Sequence, residues 1–134
     1  MLQLTRTLRI NQGNRISKAA FWGYTLFLFL VTLIPMSALD SGEGRFGEFF
    51  KEISFGGMDK FAHFFLFLFF TLLMYYSQMI QKKPVIFGAA VATGVVIEIL
   101  QEFMGLGRTF ELLDIAADSL GAIVGLTILN RLTS

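Results

Sequence analysis

Residues 98–114 read "EILQEFMGLGRTFELLD". Glu98, Glu102, Glu111 and Asp114, together with Arg108, stand between two segments apolar enough to lie in a lipid bilayer. Upstream, "PVIFGAAVATGVVIEILQEFM" begins at Pro84, a residue suited to the first turn of a helix. Downstream, "LLDIAADSLGAIVGLTILN" begins at Leu112. Charge packed between two such runs points to a polar site at the ends of membrane helices, and the rest of the chain is read from there.

Two further apolar runs precede these, "AAFWGYTLFLFLVTLIP" and "FAHFFLFLFFTLLMYYSQMI". A bilayer core of roughly 30 Å needs about 20 apolar residues in a helix. The four runs, 19–35, 61–80, 85–104 and 112–130, therefore predict four transmembrane helices. Sixteen phenylalanines, 54% hydrophobic residues and a mean hydropathy of +0.65 are unusual for a soluble fold of 134 residues. The expected class is all-α: an integral membrane four-helix bundle, in one domain spanning 1–134. With no cysteine there is neither a disulfide framework nor a thiolate metal site.

Basic residues set the orientation. Arg6, Arg9, Arg15, Lys18, Lys82, Lys83 and Arg131 fall on one side, and Arg45, Lys51, Lys60 and Arg108 on the other. The positive-inside rule then places both termini in the cytoplasm. The basic amino-terminal stretch is too long for a signal-peptide n-region, and "PMSALD" lacks a small-x-small cleavage pattern, so it reads as an arm held near anionic headgroups. Lipid is also a better partner for these arginines than nucleic acid. In "RFGEFFKEI", Phe46, Phe49, Phe50 and Ile53 recur at i, i+3, i+4 and i+7, which predicts a short amphipathic helix in the outer interface.

With this orientation, the ionisable residues of the last three helices gather at one depth. Asp59 and His63, Glu98 and Glu102, and Asp114 and Asp118 are each four residues apart, so each helix presents its polar groups on one face. Such groups usually face a bundle interior. Ala90 and Gly94 on the third helix, and Gly121 and Gly125 on the fourth, allow close helix contact, and the stripe on the fourth helix leaves a homo-oligomer open.

"DKFAHF" at the start of one helix, followed by "EILQEF" and "GRTFELLDIAADSLGAIVG", resembles the VanZ-like family of small bacterial membrane proteins, named after a protein linked to teicoplanin resistance. The resemblance covers about half of the chain. It implies a multi-pass protein of the bacterial cytoplasmic (inner) membrane, with Asp59, Lys60, His63, Glu98, Gln101, Arg108, Asp114 and Gly121 at the family's motif positions. Asp118 departs from the pattern, since the family usually has asparagine there.

Six carboxylates (Asp59, Glu98, Glu102, Glu111, Asp114, Asp118) against Lys60 and Arg108 leave the constellation at −4. Protons or a cation are expected to offset part of that charge. Asp59, Lys60, His63, Glu98, Gln101, Arg108, Asp114 and Asp118 form the candidate functional cluster.

Three roles fit this cluster. In the first, Lys60, His63 and Arg108 hold the headgroup of an envelope lipid or a lipoglycopeptide, while the carboxylates orient them and take hydroxyls or amines. In the second, His63 is the general acid or base of an enzyme acting on a lipid-linked substrate. In the third, the polar groups only fasten helices. No G-x-S-x-G elbow, H-E-x-x-H pair or glycine-rich phosphate loop occurs, and nothing in the spacing selects a metal or another cofactor.

Overall fold

The computed structural model describes residues 2–34, 48, 58–105, 107 and 109–134, with side chains on the first helix from Asn14 onward. Four helices are described in chain order: α1 (Leu2–Thr32), α2 (Met58–Tyr76), α3 (Lys83–Phe103) and α4 (Leu112–Leu132). There is no strand among the described residues. The expected interfacial helix at "RFGEFFKEI" falls outside them, Glu48 excepted.

The helix ends follow local chemistry. Pro84 occupies the first turn of α3, where a missing N–H costs nothing, and Lys82 precedes it in extended backbone. At the other end, Gly105 takes a left-handed φ of 61° just past Met104, a common way to stop a helix. α2 ends at Tyr76 rather than Ile80. Beyond it, Ser77 folds its hydroxyl back onto Met74 O at 2.6 Å, and Gln78 turns left-handed at φ 58°.

By length and composition, Asp59–Tyr76, Lys83–Phe103 and Leu112–Leu132 can cross a membrane, with mean hydropathies of 1.2, 1.8 and 1.8. α1 differs from its expectation. It is helical from Leu2, because no proline interrupts the basic arm, and the arm and the apolar run form one continuous helix. Within it the apolar stretch from Ala19 to Thr32 is shorter than the roughly 20 residues a span needs. The expected first span, 19–35, continues past the described end.

The helices pack as a bundle in which α2 and α4 form the central pair. An added Cβ on Gly121 would run into the carbonyl oxygen of Phe64, and one on Gly125 would lie 3.1 Å from Leu68 O. These glycines let the two backbones touch, so the small-residue stripe of α4 is occupied by α2 within the chain. A core of Phe21, Leu28, Phe67, Phe70, Met74, Ile86, Ala90, Ile97 and Ala122 joins all four helices. α1 is tied on by Tyr24 Oη donating to Leu66 O and by Gln101 Nε2 donating to Thr32 O, both at 2.8 Å. Phe61, Phe65, Phe69, Val96, Ile99, Leu120 and Ile123 point outward, as expected where hydrocarbon is the solvent.

Candidate functional site

The carboxyl end of α1, the amino end of α2, the carboxyl end of α3 and the amino end of α4 meet at one end of the bundle. Four-residue spacing on α2 places Lys60, His63 and Phe64 toward α4, while the spacing on α4 turns Asp114, Asp118 and Gly121 back toward them. The backbone contact at Gly121 sets how closely these side chains meet.

His63, only 1% exposed, is the centre of the arrangement. Its Nδ1 lies 2.9 Å from Asp118 Oδ1, and Asp118 is fully buried. When Asp118 is ionised it only accepts, and Nδ1 then carries the shared hydrogen and donates it. The other ring nitrogen, Nε2, then faces Asp114 Oδ2 at 4.0 Å, which is too long for a hydrogen bond. Nε2 is buried and has no hydrogen-bond partner among the described residues. Asp59, one helical turn before His63, completes the set: one ligand-type atom from each of Asp59, His63 and Asp114 lies within 4.8 Å of the others.

Asp114 divides its two oxygens between neighbours. Oδ1 accepts from Lys60 Nζ at 3.0 Å, and Oδ2 faces His63. Lys60 also donates to Glu111 Oε2 at 2.8 Å. The Lys60 ammonium is thus held by two carboxylates of the α4 amino end, which take two of its three N–H donors and offset its charge. Glu111 in turn gives its backbone N–H to Glu98 Oε2 at 2.9 Å, fixing the entry of α4 over the end of α3.

Glu98 is fully buried, and its second oxygen has no partner among the described residues. Gln101 faces away from this group, toward α1 and Thr32 O. Glu102 is exposed on the outside of α3. Arg108 lies outside the described residues. Of the expected cluster, the structure therefore brings Asp59, Lys60, His63, Asp114 and Asp118 together, sets Glu98 at its edge, and gives Gln101 an anchoring hydrogen bond.

Two participants were not singled out by sequence reading. Glu111 entered the charge count but not the candidate cluster, because a residue beside a turn gives no sign of which helix its side chain will reach. Gly94 entered as a helix-contact residue, yet its particular use is to admit Asp118: an added Cβ would run into Asp118 Oδ2. That oxygen is itself buried and without a partner among the described residues.

Beside the cluster, a cavity of about 320 Å³ is lined by Lys60, Phe61, Phe64, Phe65, Ala117 and Leu120. Its walls are apolar, with Lys60 contributing its methylene stem, and Phe61, Phe65 and Leu120 are exposed on the bundle surface. Lys60 belongs to both the cavity and the polar cluster. A ligand with an apolar tail and a polar end can touch both without entering the core.

Comparisons with curated proteins and with solved structures give no match. A family model described as VanZ/LLP1 matches residues 21–133, from the apolar part of α1 to the end of α4. This match takes in nearly the whole chain and every residue of the buried cluster, and the chain, a helical membrane protein, belongs to the VanZ/LLP1 family.

Proposed function

We propose that this chain is a multi-pass protein of the bacterial cytoplasmic membrane that binds an envelope lipid or a lipoglycopeptide-type ligand at the outer membrane face. Through that binding it affects glycopeptide (teicoplanin) susceptibility. Both termini are cytoplasmic in this reading, as the excess of Lys and Arg around α1, the α2–α3 turn and the end of α4 suggests.

The observation that carries the proposal is the junction at Lys60, where an apolar cavity on the bundle surface meets a buried polar cluster at one end of α2 and α4. The tail of the ligand lies along Phe61, Phe64 and Phe65. Its polar end meets a cluster rich in acceptors, since Lys60 is already held by Glu111 and Asp114. Hydroxyl or amine groups suit such a site better than a bare phosphate does.

Native mass spectrometry of the purified protein, with an Ala117→Trp variant to fill the cavity and a His63→Ala variant to change the cluster, tests this. An envelope lipid retained by wild type and lost from Ala117→Trp supports the reading. Equal lipid retention by all three proteins argues against it.

A second reading, a membrane-embedded enzyme, is favoured by the His63–Asp118 pair. A carboxylate that orients an imidazole and leaves its far nitrogen open is the arrangement of a general base with its positioning partner. Release of a new product from co-purified lipid by wild type, but not by His63→Ala, distinguishes turnover from binding.

A further inference from the structure

We propose that Asp59, His63 and Asp114 form a binding site for one divalent transition-metal cation of the zinc or manganese class, with Asp118 positioning the imidazole. This goes beyond lipid binding and does not depend on it.

The sequence spacing does not select a metal, because Asp114 is far along the chain from Asp59 and His63. The fold removes that distance. One ring nitrogen of His63 and one carboxylate oxygen from each aspartate come within 4.8 Å of one another, and Nε2 lies 4.0 Å from Asp114 Oδ2. Ligand atoms on a tetrahedral ion with bonds of about 2.0–2.1 Å lie roughly 3.3 Å apart, so side-chain rotations that close the set by up to about 1.5 Å suffice.

Acidic clusters alone do not make a site. The independent observation is the imidazole. His63 is 1% exposed, and Nε2 faces Asp114 Oδ2 at 4.0 Å without a hydrogen-bond partner among the described residues. In the neutral ring that gives its Nδ1 hydrogen to Asp118 at 2.9 Å, the lone pair is on Nε2, the atom that faces Asp114. Metal-bound histidines commonly use this carboxylate–imidazole relay, which fixes the tautomer and strengthens the donor nitrogen.

Lys60 plays a comparable part on the other side. By holding Asp114 Oδ1 it leaves Oδ2 to face the imidazole. Charge favours occupancy as well. Among the described residues, Asp59, Glu98, Glu111, Asp114 and Asp118 set five carboxyl groups around the single ammonium of Lys60, an excess of acceptors that a bound cation offsets.

One imidazole nitrogen with two carboxylate oxygens suits zinc or manganese. Magnesium and calcium prefer all-oxygen sets, and the nitrogen disfavours them.

The full chain, purified in detergent and stripped with a chelator, is titrated with Zn²⁺ and with Mn²⁺, and bound metal is counted by elemental analysis. Wild type is expected to retain one ion per chain. Asp59→Asn and Asp114→Asn, which keep side-chain shape, are expected to weaken binding at least about 10-fold with helix content unchanged. Asp118→Ala is expected to weaken it about 10-fold, and Asp118→Asn to restore most of the loss, since the amide oxygen accepts the same hydrogen.

X-ray absorption at the zinc edge of wild type provides a measurement independent of any variant, with one imidazole nitrogen expected among oxygen ligands. Folded wild type with no saturable Zn²⁺ or Mn²⁺ binding below about 100 µM overturns the proposal. So does an all-oxygen shell, or binding unaltered in both asparagine variants.

Discussion

The two ends of the bundle treat polar groups in opposite ways. At the end where α2 and α4 begin, His63, Glu98 and Asp118 are buried in side-chain chemistry that crosses between helices, and each keeps one atom without a partner among the described residues. Toward the other end, the buried polar groups turn inward to their own helix. Thr71 donates to Phe67 O at 2.8 Å and Ser77 to Met74 O at 2.6 Å. Lys83 meets Asn130 at the exposed margin. A helix that needs only to be stable in a membrane satisfies a hydroxyl locally. Placing ionisable groups across three helices and leaving atoms open is a poor way to fasten them, and that contrast sets the first end apart from the second.

The largest disturbance of this contrast is expected between the two ends, where it rests on backbone contact. Gly121→Leu forces a side chain onto Phe64 O and must separate α2 from α4. It is expected to cost about 3 kcal/mol or more, and to lower the unfolding temperature in detergent while abolishing metal retention. A variant as stable as wild type would show that the α2–α4 contact is looser than described.

A sharper cut is Gly94→Ala. The added methyl displaces the Asp118 carboxylate, which can swing away, so stability should change by about 1 kcal/mol or less while Zn²⁺ affinity falls about 10-fold. A loss confined to stability would make Gly94 a packing residue only.

At the far end, Thr71→Ala should cost less than about 1 kcal/mol and leave ligand and metal retention unchanged, because the lost hydrogen bond lies within one helix. The smallest effect belongs to Lys83→Ala, within about 0.5 kcal/mol by thermal unfolding, since its partner is exposed. A clear change in metal binding from either variant would erase the distinction between the two ends.

Much of the α2–α4 architecture was legible because apolar run length and helical spacing are local properties. Runs at 61–80, 85–104 and 112–130 lie close to the described helices, and the four-residue intervals correctly paired Asp114 with Asp118 on one face of α4. What the sequence did not reveal depends on distance through space. Nothing local says that Lys60 will be held by Glu111 and Asp114, or that Gln101 will reach across to α1. Charge pattern divides α1 into a basic arm and an apolar span, whereas the helix runs unbroken through both. Gly94 was legible as small, but the group it makes room for belongs to another helix.

The distribution of the cluster over the chain also sets a timetable for its making. Asp59, Lys60, His63 and Glu98 leave the ribosome before Asp114 and Asp118, which sit on the last helix. Until α4 arrives, α2 and α3 carry groups that cost about 2.5–3.5 kcal/mol each at the centre of an isolated helix, less near its ends. Synthesis of α4 brings these groups their partners, Asp114 for Lys60, Asp118 for His63 and the Glu111 N–H for Glu98.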